Sequence, residues 1–88
     1  MAAIRIARAV RCELIRAQKK FPPFNSYHEG YAVLREEVDE LWDEIKGGQD
    51  PERLRDEATQ VAAMAMRFLL ELCPQHPDSV FEWGKDEE

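Results

Sequence analysis

Apolar residues recur along this chain at helical spacing, in three blocks. In the first, Ile4, Ala7, Val10, Leu14 and Ala17 step by three or four, and neither Gly nor Pro interrupts before Pro22. A helix is predicted over 2–20. Phe21–Asn25 contains Pro22-Pro23 and reads as a loop. Ser26 and Glu29 then form an S-x-x-E capping box, with Ser26 as N-cap. Behind it Tyr27, Tyr31, Leu34, Val38, Leu41 and Ile45 step by 4, 3, 4, 3, 4, the a/d seam of a bundle helix. That helix is predicted over 26–46 and ends at Gly47-Gly48. Asp50 as N-cap and Pro51 at the first helical position open a third helix, predicted over 51–72. Its stripe is Leu54, Ala58, Val61, Ala65, Phe68 and Leu72, and Pro74 follows its end. The short C-terminal tail holds Phe81 and Trp83, and a turn of helix around Asp78–Trp83 would dock them, with fraying after Gly84. No segment carries a useful strand pattern, and no repeat or linker interrupts 1–88, which reads as one all-α domain.

The third helix differs from the second in one respect. Ala62, Ala63, Met64, Met66, Leu69 and Leu70 add to its stripe, so that nearly its whole circumference is apolar between Val61 and Leu70. Such a helix needs neighbours on nearly every side. Two further helices from one chain do not suffice. The expectation is a four-helix-bundle-type homodimer or homotetramer joined through the third helix. Chain length agrees: a domain of 88 residues buries only about 60–65% of its unfolded surface and gains from a partner.

Charge narrows the function classes. Eighteen acids against twelve bases leave a net charge of −6. This disfavours nucleic acid as a partner, since phosphate contacts need a basic surface. It suits a chain that gathers divalent cations, although a merely soluble surface is the commoner meaning of such a charge. Cys12 and Cys73 are too few for a disulfide framework, and His28 and His76 lack ligand spacing to them, which points to a reducing cytoplasm and away from zinc. The Arg-rich first helix contains Glu13 and lacks Ser and Thr, so a helix is the better reading than a transit peptide. The longest apolar run, Val61–Met66, is too short for a membrane span.

The candidate chemistry lies in two acidic pairs. Glu37 and Glu40 sit in the second helix, Glu57 and Gln60 in the third, each at i,i+3. Sixteen residues separate the pairs, room for a helix end, a turn and a return. Taking Leu34 and Leu54 as zero on their wheels, both pairs fall at about 300° and 240°. Three carboxylates and a carboxamide then converge across the hairpin, an oxygen-rich set of the kind Mg²⁺ uses. Glu44 lies one turn beyond Glu40, and Glu36 beside Glu37; either can support the set. Taken singly, acids on a helix face are ordinary solvated surface, and only the paired spacing lifts them above that.

Other residues carry blander readings. His28 reads as a surface or cap-supporting residue, Trp42 as core packing with base stacking as the lesser alternative, and Met64 and Met66 as interface filling. Lys19, Lys20, Arg53 and Arg67 read as solvated charges or salt bridges, with phosphate contact as the alternative. No phosphate-binding residue is assigned. The sequence holds no P-loop, nucleophile elbow or dinucleotide fingerprint.

HEGYAVLREEVDELWDEI followed by DEATQVAAMAMRFLLEL resembles the MazG-like family of all-α nucleoside triphosphate pyrophosphohydrolases, over roughly Ser26 to Leu72. That family pairs ExxE with ExxD on consecutive helices. The resemblance implies a four-helix bundle built by dimerisation. It implies Mg²⁺, or Mn²⁺, held by Glu37, Glu40, Glu57 and position 60. It implies cleavage of a nucleoside triphosphate to the monophosphate and pyrophosphate, with Glu37 or Glu40 orienting the attacking water. Gln60 departs from the family's Asp: it is neutral and one methylene longer, and lowers the charge of the set from −4 to −3. The alternative to the enzyme is therefore a non-catalytic nucleotide- or metal-binding helical module. A plain interaction module with decorative acids is the third possibility.

Overall fold

A computed structural model describes residues 2–73. All regular structure among them is helical: α1 (Ala2–Lys20), α2 (Tyr27–Lys46) and α3 (Pro51–Leu72). The expected turn around Asp78–Trp83 lies outside the described residues. α3 is the central element. Both α1 and α2 pack on it, and they leave a cleft between themselves. The core is the seam of α1 against α3, where Val10, Leu14 and Ala17 meet Ala63 and Met64, with Val33, Leu34 and Ala62 packed around them. Met64 is thus a core residue, while Met66 is exposed.

The helix signals act locally as their chemistry requires. Ser26 Oγ accepts the Glu29 N–H at 3.0 Å. The return bond of the capping box lands one residue early, with Glu29 Oε1 accepting from Asn25 N at 2.7 Å. Asp50 accepts the Glu52 N–H at 3.0 Å, ahead of Pro51. At the α2–α3 turn the left-handed residue is Gln49, with φ 54°, and neither glycine has positive φ. Its Nε2 donates to Ile45 O at 3.1 Å, which helps hold a conformation that L residues disfavour. Gly30 is needed for another reason: a Cβ there would stand 2.6 Å from Leu72 Cδ1 and 2.7 Å from the Phe68 ring. Its absence lets α2 approach the C-terminal end of α3.

Two expectations are corrected. Trp42 is 53% exposed, not core, with the Lys46 ammonium 5.5 Å from its ring centre. The α2 seam is likewise only half used: Leu34 and Leu41 are partly buried, whereas Tyr27, Tyr31, Val38 and Ile45 are exposed. The reason is topological. α3 covers one side of α2, α1 does not touch its far side, and the stripe is wider than one neighbour. Met66, Leu69 and Leu70 are exposed on α3 for the same reason.

Candidate metal centre

The hairpin that aligns the acids is tied at its turn by Glu44. Its Oε1 pairs with Arg53 Nε at 3.1 Å, its Oε2 accepts from Asp50 N at 3.2 Å, and its backbone carbonyl accepts from Gln49 N at 3.0 Å. Glu44 therefore supports the site by closing the turn, and its carboxylate is occupied by the N-terminus of α3. Arg53 is held there as its partner.

One and two turns inward from that clamp, Glu37, Glu40 and Glu57 come together. Each offers a carboxylate oxygen, and the three lie within 4.8 Å of one another. Glu37 and Glu57 are half-buried and Glu40 is exposed between them. Burial raises the Glu37 carboxyl to about 7, aided by the charge and hydrogen bonding of Glu40 and by the charges of Glu57 and Glu36. Glu57 is raised as well, first by burial and then by Glu40, with Arg53 opposing. Three acids held this close disfavour full ionisation together, and a hard divalent cation is the partner that relieves such a set. The donor chemistry fits Mg²⁺, which accepts a few carboxylates and completes its shell from water and phosphate oxygens. Glu36 is exposed at the cleft rim and touches the set only through its charge.

Gln60 does something else. Its Nε2 donates to Glu13 Oε1 on α1, a contact 47 residues apart in the chain. On the helical wheel Gln60 and Glu40 are equivalent, but α1 packs on α3 alone. Gln60 therefore faces α1, while its counterpart on α2 faces the open side of the hairpin. No sequence motif marks Glu13 as a site residue. Its one signal is that it is the single acid of a helix that carries six bases. It is also held by Arg16 at 3.3 Å, with a side chain only 14% exposed.

Glu37 and Gln60 also line the cleft between α1 and α2, which has a volume of about 470 Å³ and a floor that includes Met64. Arg67 closes one end. Its Nη2 donates to Pro22 O at 2.7 Å, its guanidinium carbon lies 4.0 Å from the Phe24 ring centre, and its Nε bonds Glu71. Arg53 and Arg67 thus both form salt bridges, to Glu44 and Glu71. His28 is exposed in the first turn of α2. Cys12 is exposed and Cys73 half-buried. No helix among the described residues is long and apolar enough to cross a membrane. Comparison of the chain with family models, with curated proteins and with solved structures returned no match.

Proposed function

We propose that the chain is a Mg²⁺-dependent nucleoside triphosphate pyrophosphohydrolase of the MazG-like kind, working in the cytoplasm as a dimer or tetramer. The observation that carries this is the meeting of Glu37 and Glu40 from α2 with Glu57 from α3, all within 4.8 Å. Those are three of the four positions the family motif would use. Bound Mg²⁺, or Mn²⁺ in its place, would neutralise phosphate oxygens and favour departure of pyrophosphate.

The chain's own residues supply the rest. Glu37, Glu40 and Glu57 would hold the cation. Glu37 is the better candidate for orienting water, because it alone belongs both to the acidic set and to the cleft. The water oxygen attacks the α-phosphorus. The bond from that phosphorus to the α–β bridging oxygen breaks, pyrophosphate leaves with the bridging oxygen, and the water proton passes to the carboxylate. Arg53, at the turn beside Glu57, is within the same depression as Glu40 and is suited to meet the outer phosphates.

The oligomer belongs to the same proposal. Tyr31, Val38 and Trp42 on α2 and Met66 and Leu69 on α3 are all exposed. A second hairpin laid on them would complete a four-helix bundle.

A specific observation favours a second reading, a non-catalytic nucleotide- or metal-binding module: the Gln60 amide is committed to Glu13. The test is pyrophosphate release from a panel of nucleoside triphosphates with Mg²⁺ and Mn²⁺, using wild type, Gln60→Asp and Glu57→Ala. Turnover by wild type that is lost in Glu57→Ala supports the enzyme. A silent wild type with an active Gln60→Asp variant supports the binding module.

A further inference from the structure

The acidic set has two different sides. Towards the hairpin turn, the depression that contains Glu40 and Glu57 is lined by Asp43, Glu44, Gly47, Gly48 and Arg53, with no aromatic or aliphatic wall. Towards α1, the cleft that shares Glu37 has apolar walls, among them Phe24, Val33 and Met64. Its volume of about 470 Å³ lies within the range of small-ligand pockets, roughly 300–1,000 Å³. A ligand with phosphates over Glu37, Glu40 and Glu57 therefore meets, on the side of Glu37, an apolar-walled place for a flat ring in the cleft.

Charged side chains also line that cleft, Arg16, Lys20, Glu29, Glu36, Glu37 and Arg67 among them, and Glu13 and Gln60 form a hydrogen-bonded pair within it. A carboxylate only accepts, so Gln60 must turn its amide N–H towards Glu13. Arg16 also approaches the same oxygen, Glu13 Oε1. This leaves Glu13 Oε2 and the Gln60 carbonyl, two acceptors that receive no bond among the described residues. Two acceptors beside an apolar slot match a base edge that presents two adjacent donors. The guanine edge does so, with a ring N–H next to an exocyclic amino group. The uracil edge flanks its one N–H with carbonyl oxygens, which would face the acceptors unpaired.

We infer that the cleft seats the nucleobase and that Glu13 with Gln60 selects a guanine-type edge, an inference that rests on the nucleotide reading above. It also explains position 60: a carboxamide there can recruit Glu13, whereas an Asp would repel it.

The test is calorimetric binding of the four nucleoside 5′-monophosphates, GMP, AMP, CMP and UMP, to wild type and Glu13→Gln, with Mg²⁺ present. The expected result is GMP bound at least about tenfold more tightly than UMP by wild type, with that preference gone in Glu13→Gln. Titration of wild type with GMP, followed at the Met64 methyl by NMR, keeps the test independent of how well the variant folds. A shifted Met64 resonance supports the seat, and GMP binding that leaves Met64 unmoved overturns it. Equal affinity for GMP and UMP, or a preference unaltered by Glu13→Gln, also overturns it. Pyrophosphate release separates the two levels. Hydrolysis without base preference refutes the base reader and leaves the hydrolase standing. GMP preference without hydrolysis does the reverse.

Discussion

Arg67 donates its Nε–H to Glu71 Oε2 at 2.9 Å, and the two side chains are only 4% and 8% exposed. The pair fastens the α1–α2 loop to α3, since Arg67 also holds Pro22 O and Glu71 accepts Phe24 N at 2.8 Å and Gln18 Nε2 at 3.2 Å. Removing one partner of a buried pair costs about 3–5 kcal/mol, because the other charge is left unpaired. Arg67→Ala is expected to lower Tm by roughly 12 °C or more for a domain of this size. Thermal unfolding followed by circular dichroism checks this. A fall of under about 4 °C would mean that the pair contributes little.

The same residue sets an acid limit. Burial pushes the Glu71 carboxyl up, but hydrogen bonds from Phe24, Arg67 and Gln18 and the charge of Arg67 outweigh it, so it lies below the usual carboxylate range. A depressed carboxyl stabilises the fold above its ordinary pKa, and that contribution is lost as pH falls through the depressed value. Stability is expected to drop below about pH 4, and Glu71→Gln should flatten that drop in a Tm series from pH 6 to pH 2.

Glu37 works in the opposite sense. Its carboxyl is raised from 4.5 to about 7. A raised carboxyl stabilises the fold fully below its ordinary value, and that stabilisation is lost as pH rises through about 7. Without divalent cations, Tm should therefore fall between pH 5 and pH 8, and Glu37→Gln should remove much of the fall. Mg²⁺ must displace the proton, so its stabilising effect should be larger at pH 8 than at pH 6. At a hundredfold excess over Kd it amounts to about 2.7 kcal/mol. A Tm indifferent to millimolar Mg²⁺ and Mn²⁺ at pH 8 would count against a metal site.

The exposed stripe of α2 and the exposed edge of α3 predict self-association. Light scattering at micromolar concentration should report a dimer or tetramer. Trp42→Glu and Leu69→Glu should each shift it towards monomer, because a carboxylate placed in an apolar interface lacks a partner. A monomeric wild type would refute the bundle.

Gly30→Ala tests the close approach of α2 to α3. Alanine gains about 1 kcal/mol of helix propensity over glycine. The added methyl meets Leu72 and the Phe68 ring at 2.6 and 2.7 Å, and overpacking typically costs about 1–3 kcal/mol. A lowered Tm is expected, and a raised one would show that Phe68 and Leu72 move aside freely.

The three helices and their starts were legible in the chain because their causes are local. Ser26, Asp50 and Pro51 act on backbone within three residues of themselves, and a run from Ala2 to Lys20 free of Gly and Pro continues as helix. The meeting of Glu37, Glu40 and Glu57 was legible for a related reason. Helical periodicity sets each pair's angle to its stripe, and a short turn brings the two stripes face to face. What periodicity cannot say is which helix covers which side. The wheel gave Gln60 and Glu40 equivalent places, yet α1 packs on α3 and not on α2, so Gln60 met Glu13 and Glu40 stayed open. The same choice buried Arg67 and Glu71 against the Pro22–Phe24 loop and left Trp42 exposed. Local sequence thus determined the helices, their caps and the angle of every acid. Only tertiary packing, which joins residues 47 apart such as Glu13 and Gln60, decided the polar pair that the cleft encloses, because burial is a property of neighbours that no single helix contains.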